Sequence, residues 1–236
     1  MINNRISRVL QVLSLVAFNP EPTRLKEIGD KLGLHPSMVS RIVADLIAGG
    51  LLVKSAYRSV IATPALAVLG KSAGKNHPLS RIAREVLQQP VSEMGLSCEF
   101  ATVAPGGLFH FYQVRRGTPP AEPLWRSDAA AVIFAARGDE WEEVLEELRF
   151  AAPGEQESEF PRFKERFLEA RESLNLINYH AGRFRQMTLP VKCGIFCCAL
   201  SVSGFDSADQ EKTAFELSRL AARIRSLYNT MLNGDA

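Results

Sequence analysis

Apolar residues recur at helical spacing from the start of the chain. Ile6, Val9, Leu10, Leu13, Val16 and Ala17 line one face, which predicts a first helix. Asn19-Pro20-Glu21-Pro22 ends it, because proline cannot extend the hydrogen-bond ladder. Leu25, Ile28 and Leu32 share one side of a short second helix, with Thr23 as its expected N-cap. Glu27 then lies one residue beyond the position a capping box needs. Gly33 can take the left-handed conformation that closes this helix. Pro36 suits the first turn of a third helix, in which Val39, Ile42, Val43 and Leu46 point inward and Gly49-Gly50 is the stop. Residues 51–54 and 59–63 then read as two short strands with Ala56-Tyr57-Arg58 at the tip.

The pattern changes after Pro64. Residues 64–75 begin as a helix with Leu66 and Leu69 and dissolve at Gly74. Gly74, Lys75, Asn76 and His77 make a polar break ahead of Pro78, with His77 read as a solvated linker residue. The expected division is therefore 1–63, a linker helix over 64–77, and a second domain over 78–236. Residues 79–94 predict a helix through Leu79, Ile82, Val86 and Leu87, with Pro90 expected to kink or end it. Residues 97–104 and 108–114 flank Pro105-Gly106-Gly107 as a hairpin. Helices follow over 127–137, 139–150 (acidic on its outer face) and 160–173, the last turning Phe163, Phe167 and Leu168 inward. Residues 174–180, 185–191 and 195–203 read as strands. A final helix spans about 207–232, with Ser207 and Gln210 as a capping box and Leu217, Leu220, Ala221, Ile224 and Tyr228 as its buried stripe. Strands with helices on one face give an α+β (mixed α/β) second domain.

Composition narrows the class. With 236 residues, 46% hydrophobic and 23% charged, the chain is of the globular kind. No apolar run approaches the roughly 18–20 residues of a membrane span. The first 22 residues faintly resemble a signal peptide, but Arg8, Gln11 and Ser14 interrupt them and no small-residue cleavage site follows, so they read as the first helix of a cytoplasmic protein. The net charge is only +2 but is unevenly spread. Residues 1–75 hold ten Lys/Arg against four Asp/Glu, and the remainder 18 against 22. A basic module therefore precedes a mildly acidic one.

That basic module has the order of a winged helix: helix, turn, second helix, hairpin. In a helix-turn-helix the second helix enters the DNA major groove. Arg41 can take guanine O6 and N7 in bidentate fashion, Ser37 and Ser40 can reach bases or phosphates, and Met38 can touch a thymine methyl. Lys54 and Arg58 on the hairpin suit phosphate, and Thr23 stands at the entry to the second helix. Asp45 lies too far along to be a favoured contact and reads as solvated.

Catalytic patterns are missing: no paired acid and base, no phosphate-cradling glycine loop, no nucleophile elbow. The four cysteines, Cys98, Cys193, Cys197 and Cys198, lack metal-ligand spacing and fit a reducing compartment. Neighbours Cys197 and Cys198 point to opposite faces of a strand, and Cys193 joins the face of Cys197 only if the turn at Gly194 permits. They read as small hydrophobes, with a redox role as the alternative. Neither cofactor nor metal is expected.

LKEIGDKLGLHPSMVSRIVADLIAGGLL, the helical linker, FLEARESLNLINY and LPVKCGIFCCALSVSGF, in this order, resemble the IclR family of bacterial transcriptional regulators across nearly the whole chain. The resemblance implies a repressor or activator that dimerises through its N-terminal part and often forms tetramers. It also implies a GAF-like C-terminal domain that binds a small organic acid. Carried onto this sequence, the implied effector residues are Ser127, Asp128, Ala129, Ser201 and Ser203, with Gln186 near the pocket. The helix opening RSDAAAVIFAAR departs from the family's small, glycine-containing pattern. Asp128 stands where a small residue would let backbone N–H groups approach an anion, and it would repel a carboxylate unless neutralised. The expected function is a sequence-specific DNA-binding regulator with a small-acid effector. The alternative is a winged-helix protein-interaction or dimerisation protein with no effector.

Overall fold

A computed structural model describes residues 5–104, 107–116, 123–151, 154–173, 177–181 and 184–233. The chain divides into two compact units, Met1–Ala73 and Gly74–Ala236.

The first unit runs α1 (Arg5–Phe18), β1 (Thr23–Arg24), α2 (Leu25–Leu32), α3 (Pro36–Ala48), β2 (Leu52–Ala56) and β3 (Ser59–Ala62), and into α4 (Pro64–Asn76). Its core gathers Val12 and Val16 of α1, Ile28 of α2, Val39, Ile42, Val43 and Leu46 of α3, and Leu52 and Val60 of the hairpin. Burying each such side chain contributes about 1.5–3 kcal/mol. The inward face of α1 differs from the expected one. Ile6 and Leu10 are exposed, because α1 turns the Val12–Val16 stripe to the core. Gly33 does adopt the left-handed conformation, at φ 61°. Thr23 is not the cap of α2. It is fully buried in β1, opposite Val60, and its hydroxyl accepts from Asn19 Nδ2 at 3.0 Å. The N-cap position falls one residue later, on Arg24, which explains the offset of Glu27. The extra strand β1 makes the wing a three-stranded antiparallel sheet, β1-β3-β2.

The linker helix does not dissolve at Gly74. α4 continues to Asn76, and α5 (Pro78–Met94) begins after His77 alone. Pro90 lies inside α5 without ending it. Leu87 and Val91 on either side of it are buried, and this packing holds the helix through the missing N–H. After α5 come β4 (Ser97–Ala104), β5 (Gly107–Val114), α6 (Asp128–Arg137), α7 (Trp141–Ala151), α8 (Phe160–Ser173), β6 (Ile177–Ala181), β7 (Phe184–Cys193), β8 (Phe196–Phe205) and α9 (Gln210–Asn233). Pro105, Gly106, residues 117–120 and the side chain of Ser207 lie outside what is described, so the expected hairpin turn and capping box are not placed.

The five strands form one antiparallel sheet in the order β5-β4-β8-β7-β6. Helices cover both faces, not one as the sequence pattern implied. Phe100, Met187, Leu200 and Val202 face α5 and α9, meeting Leu79, Leu87, Leu217 and Ile224. The opposite face meets α6, where Ala129, Val132 and Ile133 pack near Ala199. α6 in turn packs on α7 and α8 through Phe134, Leu148, Phe163 and Phe167. Leu168, expected inward, is 43% exposed because the buried stripe of α8 runs through Phe163, Phe167 and Ala170.

Candidate nucleic-acid interface and effector region

α3 presents one face to the core and Ser37, Ser40, Arg41 and Asp45 to solvent. Pro36 starts it, and His35 caps it: its Nδ1 accepts from the Ser37 backbone N–H at 3.3 Å and lies 2.8 Å from Ser37 Oγ. The sequence reading missed His35, although a His-Pro step before a helical stripe was the available signal. Asp45 pairs with Arg5 at 3.3 Å on the surface. Met38 is not on the open face. It is half-buried against the core, and Arg8 Nη1 donates to its Sδ at 3.1 Å. It cannot touch a base without leaving that packing. Thr23, sealed inside, has no access to DNA either.

The hairpin β2–β3 turns at Tyr57-Arg58, and Arg58 sits at φ 53°, a costly conformation for a residue with a Cβ. Its backbone carbonyl accepts from Leu25 N at 3.0 Å, tying the wing tip to α2. Its guanidinium lies 5.1 Å from the ring of Tyr57, which is 84% exposed. Arg41, Lys54 and Arg58 are all exposed, and none meets a carboxylate among the described residues. Cations left without acidic partners are what a polyanion would take up.

In the second unit, Ser127 caps α6 by accepting from Ala130 N at 3.3 Å. Asp128 is buried, and its Oδ1 accepts from Arg166 Nη1 at 2.9 Å. The same arginine donates to the carbonyls of Arg126 at 2.7 Å and Trp125 at 3.2 Å. Asp128 is thus ion-paired with Arg166 of α8. Ala129 is fully buried. Ser201 accepts from Thr188 Oγ1 at 3.0 Å.

Strand register aligns Glu99, Ser201 and Thr188 in one row and Ser97, Ser203 and Gln186 in the next. These rows lie on the face that carries Ala199, the face covered by α6. Gln186 and Ser203 are half-buried, and His110 Nε2 lies 3.3 Å from Glu99 Oε2. Sequence reasoning found Ser201, Ser203 and Gln186. It missed Glu99, Thr188 and His110, whose proximity depends on strand order.

Cys193 and Cys197 do not share a face. Cys193 pairs with Phe196 in the register and faces α9, whereas Cys197 Sγ lies 3.8 Å from the Ile133 carbonyl of α6. Burial pushes all four thiols up, Cys193 to about 11. Among the described residues no three His, Cys, Asp or Glu side chains come together as a metal site. Nor is any helix there long and apolar enough to cross a membrane.

Residues 6–56 match the family model described as the IclR helix-turn-helix domain. The N-terminal unit thus carries a helix-turn-helix domain of the IclR kind. Solved structures extend this fold over nearly the full length. An IclR family transcriptional regulator from Brucella abortus superposes with a TM-score of 0.67 at 18% identity, over 94% of this chain and 91% of that one. An ICLR transcriptional regulator from Silicibacter sp. TM1040 gives a TM-score of 0.64 at 16% identity, over 95% and 96%. An IclR homolog complexed with 4-hydroxybenzoate, from Microbacterium hydrocarbonoxydans, gives 0.54 at 16% identity, over 96% and 100%. No curated protein matches by sequence. At these identities the shared fold is what the IclR structures establish for the second unit.

Proposed function

We propose that this protein is an IclR-type regulator that reads duplex DNA with α3 and the wing, through Ser37, Ser40, Arg41, Lys54 and Arg58, and responds to a small organic acid held by its second unit. Residues 1–63 serve as the reading head, 64–77 as the linker and 78–236 as the sensor, in the cytoplasm. The single observation that carries the DNA reading is the set of three exposed cations, Arg41, Lys54 and Arg58, without carboxylate partners among the described residues, on a winged helix. Phosphate neutralisation makes such binding fall steeply with salt. The test is gel-shift affinity for the protein's own upstream region across a salt series. Affinity unchanged in Arg41→Ala and Arg58→Ala would sink the reading and favour a protein-docking winged helix.

In this reading the effector binds against the polar rows of the sheet, near Gln186 and Ser203. The 4-hydroxybenzoate complex of the Microbacterium homolog supports a small acid as the ligand class. A thermal-shift screen of small acids, including 4-hydroxybenzoate, tests it, with Gln186→Ala and Ser203→Ala expected to lose the shift. Dimerisation uses α1 and α4, each of which leaves apolar side chains exposed: Ile6, Leu10 and Phe18 on one, Val68 and Leu69 on the other. Leu10→Glu is expected to move the protein toward monomer in sedimentation.

A further inference from the structure

His77 occupies an unusual seat. It is the single residue between α4 and α5, in extended conformation at φ −64°, and its Nδ1 accepts from Leu79 N at 3.2 Å to cap α5. Its ring lies 4.8 Å from that of Phe111 and 5.2 Å from that of Phe196, so strands β5 and β8 both grip it. Phe109 stacks on Phe111 at 5.1 Å, and Phe196 meets Tyr228 of α9 at 6.5 Å. One turn earlier, a Cβ on Gly74 would stand 2.9 Å from Phe109 Cζ, so glycine lets the end of α4 close onto the same cluster.

We propose that His77 is a proton-sensitive latch. Neutral, its ring caps α5 and seats the α4–α5 junction among Phe109, Phe111 and Phe196; protonated, it does neither. The cap needs a lone pair on Nδ1. A proton there would face the N–H of Leu79, donor against donor. The imidazolium would also sit between apolar rings. Cation–π attraction to them offsets part of its lost hydration. Among the described residues, no carboxylate or cation of α4, α5, β5 or β8 pairs with the ring. Burial acts on the ring and holds its pKa below the ordinary histidine value, because it disfavours the charged form.

The sign follows. A group that resists protonation when folded contributes stability that is complete above the ordinary histidine range, near pH 6.5, and is lost as pH falls through the lowered value. The junction of α4 and α5 therefore loosens in acid and is locked at neutral pH. α4 starts directly after the wing, and its last residues, from Gly74 on, belong to the second unit, as does His77.

Hydrogen exchange of the full-length protein, corrected for intrinsic pH dependence, tests this over residues 74–80. In the wild type, protection is expected to fall by up to about tenfold per pH unit between about pH 6.5 and the lowered value, and to level off below it. His77→Asn, a good cap that does not titrate, should keep a flat profile. His77→Ala should lose protection at every pH. Identical pH profiles for the wild type and His77→Asn would overturn the latch. So would full protection in His77→Ala. Should the alanine variant fail to fold, an NMR titration of the wild-type ring, assigned by its loss in His77→Asn, decides: a midpoint at or above 6.5 refutes the proposal, and one below it supports it.

Discussion

Arg166 Nη1 lies 2.9 Å from Asp128 Oδ1, and this buried pair fastens the first residue of α6 to α8. Arg166 also holds two backbone carbonyls just ahead of α6, while its Nε has no partner among the described residues. Removing one charge leaves the other buried and uncompensated, which costs about 3–5 kcal/mol. Asp128→Ala is expected to lower the stability of the second unit by that amount. The double variant Asp128→Ala/Arg166→Met should lose less than the two single losses combined. Denaturation can be followed by the only two tryptophans of the chain, Trp125 and Trp141, which flank this cluster.

The wing tip separates charge from backbone strain. Arg58 at φ 53° occupies a region that costs a residue with a Cβ about 1–2 kcal/mol. Arg58→Gly relieves that strain but frees the unfolded chain, so the first unit should change stability by no more than about 1 kcal/mol. Removal of a phosphate contact should lower the magnitude of the salt slope of duplex binding by about 0.9. Thermal unfolding beside a salt titration of binding reads both. A steep slope retained in the variant would mean Arg58 contacts no phosphate.

Two glycines of α4 should respond in opposite ways. A Cβ at Gly70 meets nothing within 4 Å, whereas one at Gly74 would press into Phe109. Gly70→Ala is expected to stabilise the helix by up to about 1 kcal/mol, from propensity alone. Gly74→Ala gains the same propensity but must displace the ring, and it should end less stable than the wild type. Melting temperatures of the two variants compare these directly.

Thiol chemistry should be slow in the folded protein. Three of the four cysteines are buried, and burial holds every thiol in its protonated form well above neutral pH, Cys193 at about 11. The thiolate is the reactive form. Labelling at pH 7.5 should modify less than one thiol per chain in minutes, with half-buried Cys197 first, and all four after denaturation. Rapid native labelling of Cys193 or Cys198 would reopen a redox role.

Helix positions were legible because amphipathic periodicity and proline or glycine punctuation act locally. Val39, Ile42, Val43 and Leu46 are buried as their spacing requires, and Pro36 and Gly49 bound α3 as their backbone chemistry requires. Small strands and single residues at element junctions were less legible. β1 exists only because β3 lies beside it, and Thr23 is buried there instead of capping α2. His77 looked like a solvated linker residue because nothing adjacent in sequence covers it. Phe111 and Phe196, far along the chain, do.

The sequence by itself determined the winged helix, the order of elements and the exposed face of α3, since each rests on residues within a few turns of one another. Tertiary structure alone decided which polar groups remain available. It gave Asp128 to Arg166, 38 residues away, and aligned Glu99, Ser201 and Thr188 across three strands. It also placed helices on both faces of the sheet. Hydrogen-bond partners and desolvation depend on distances through space, and the chain encodes these only through its fold.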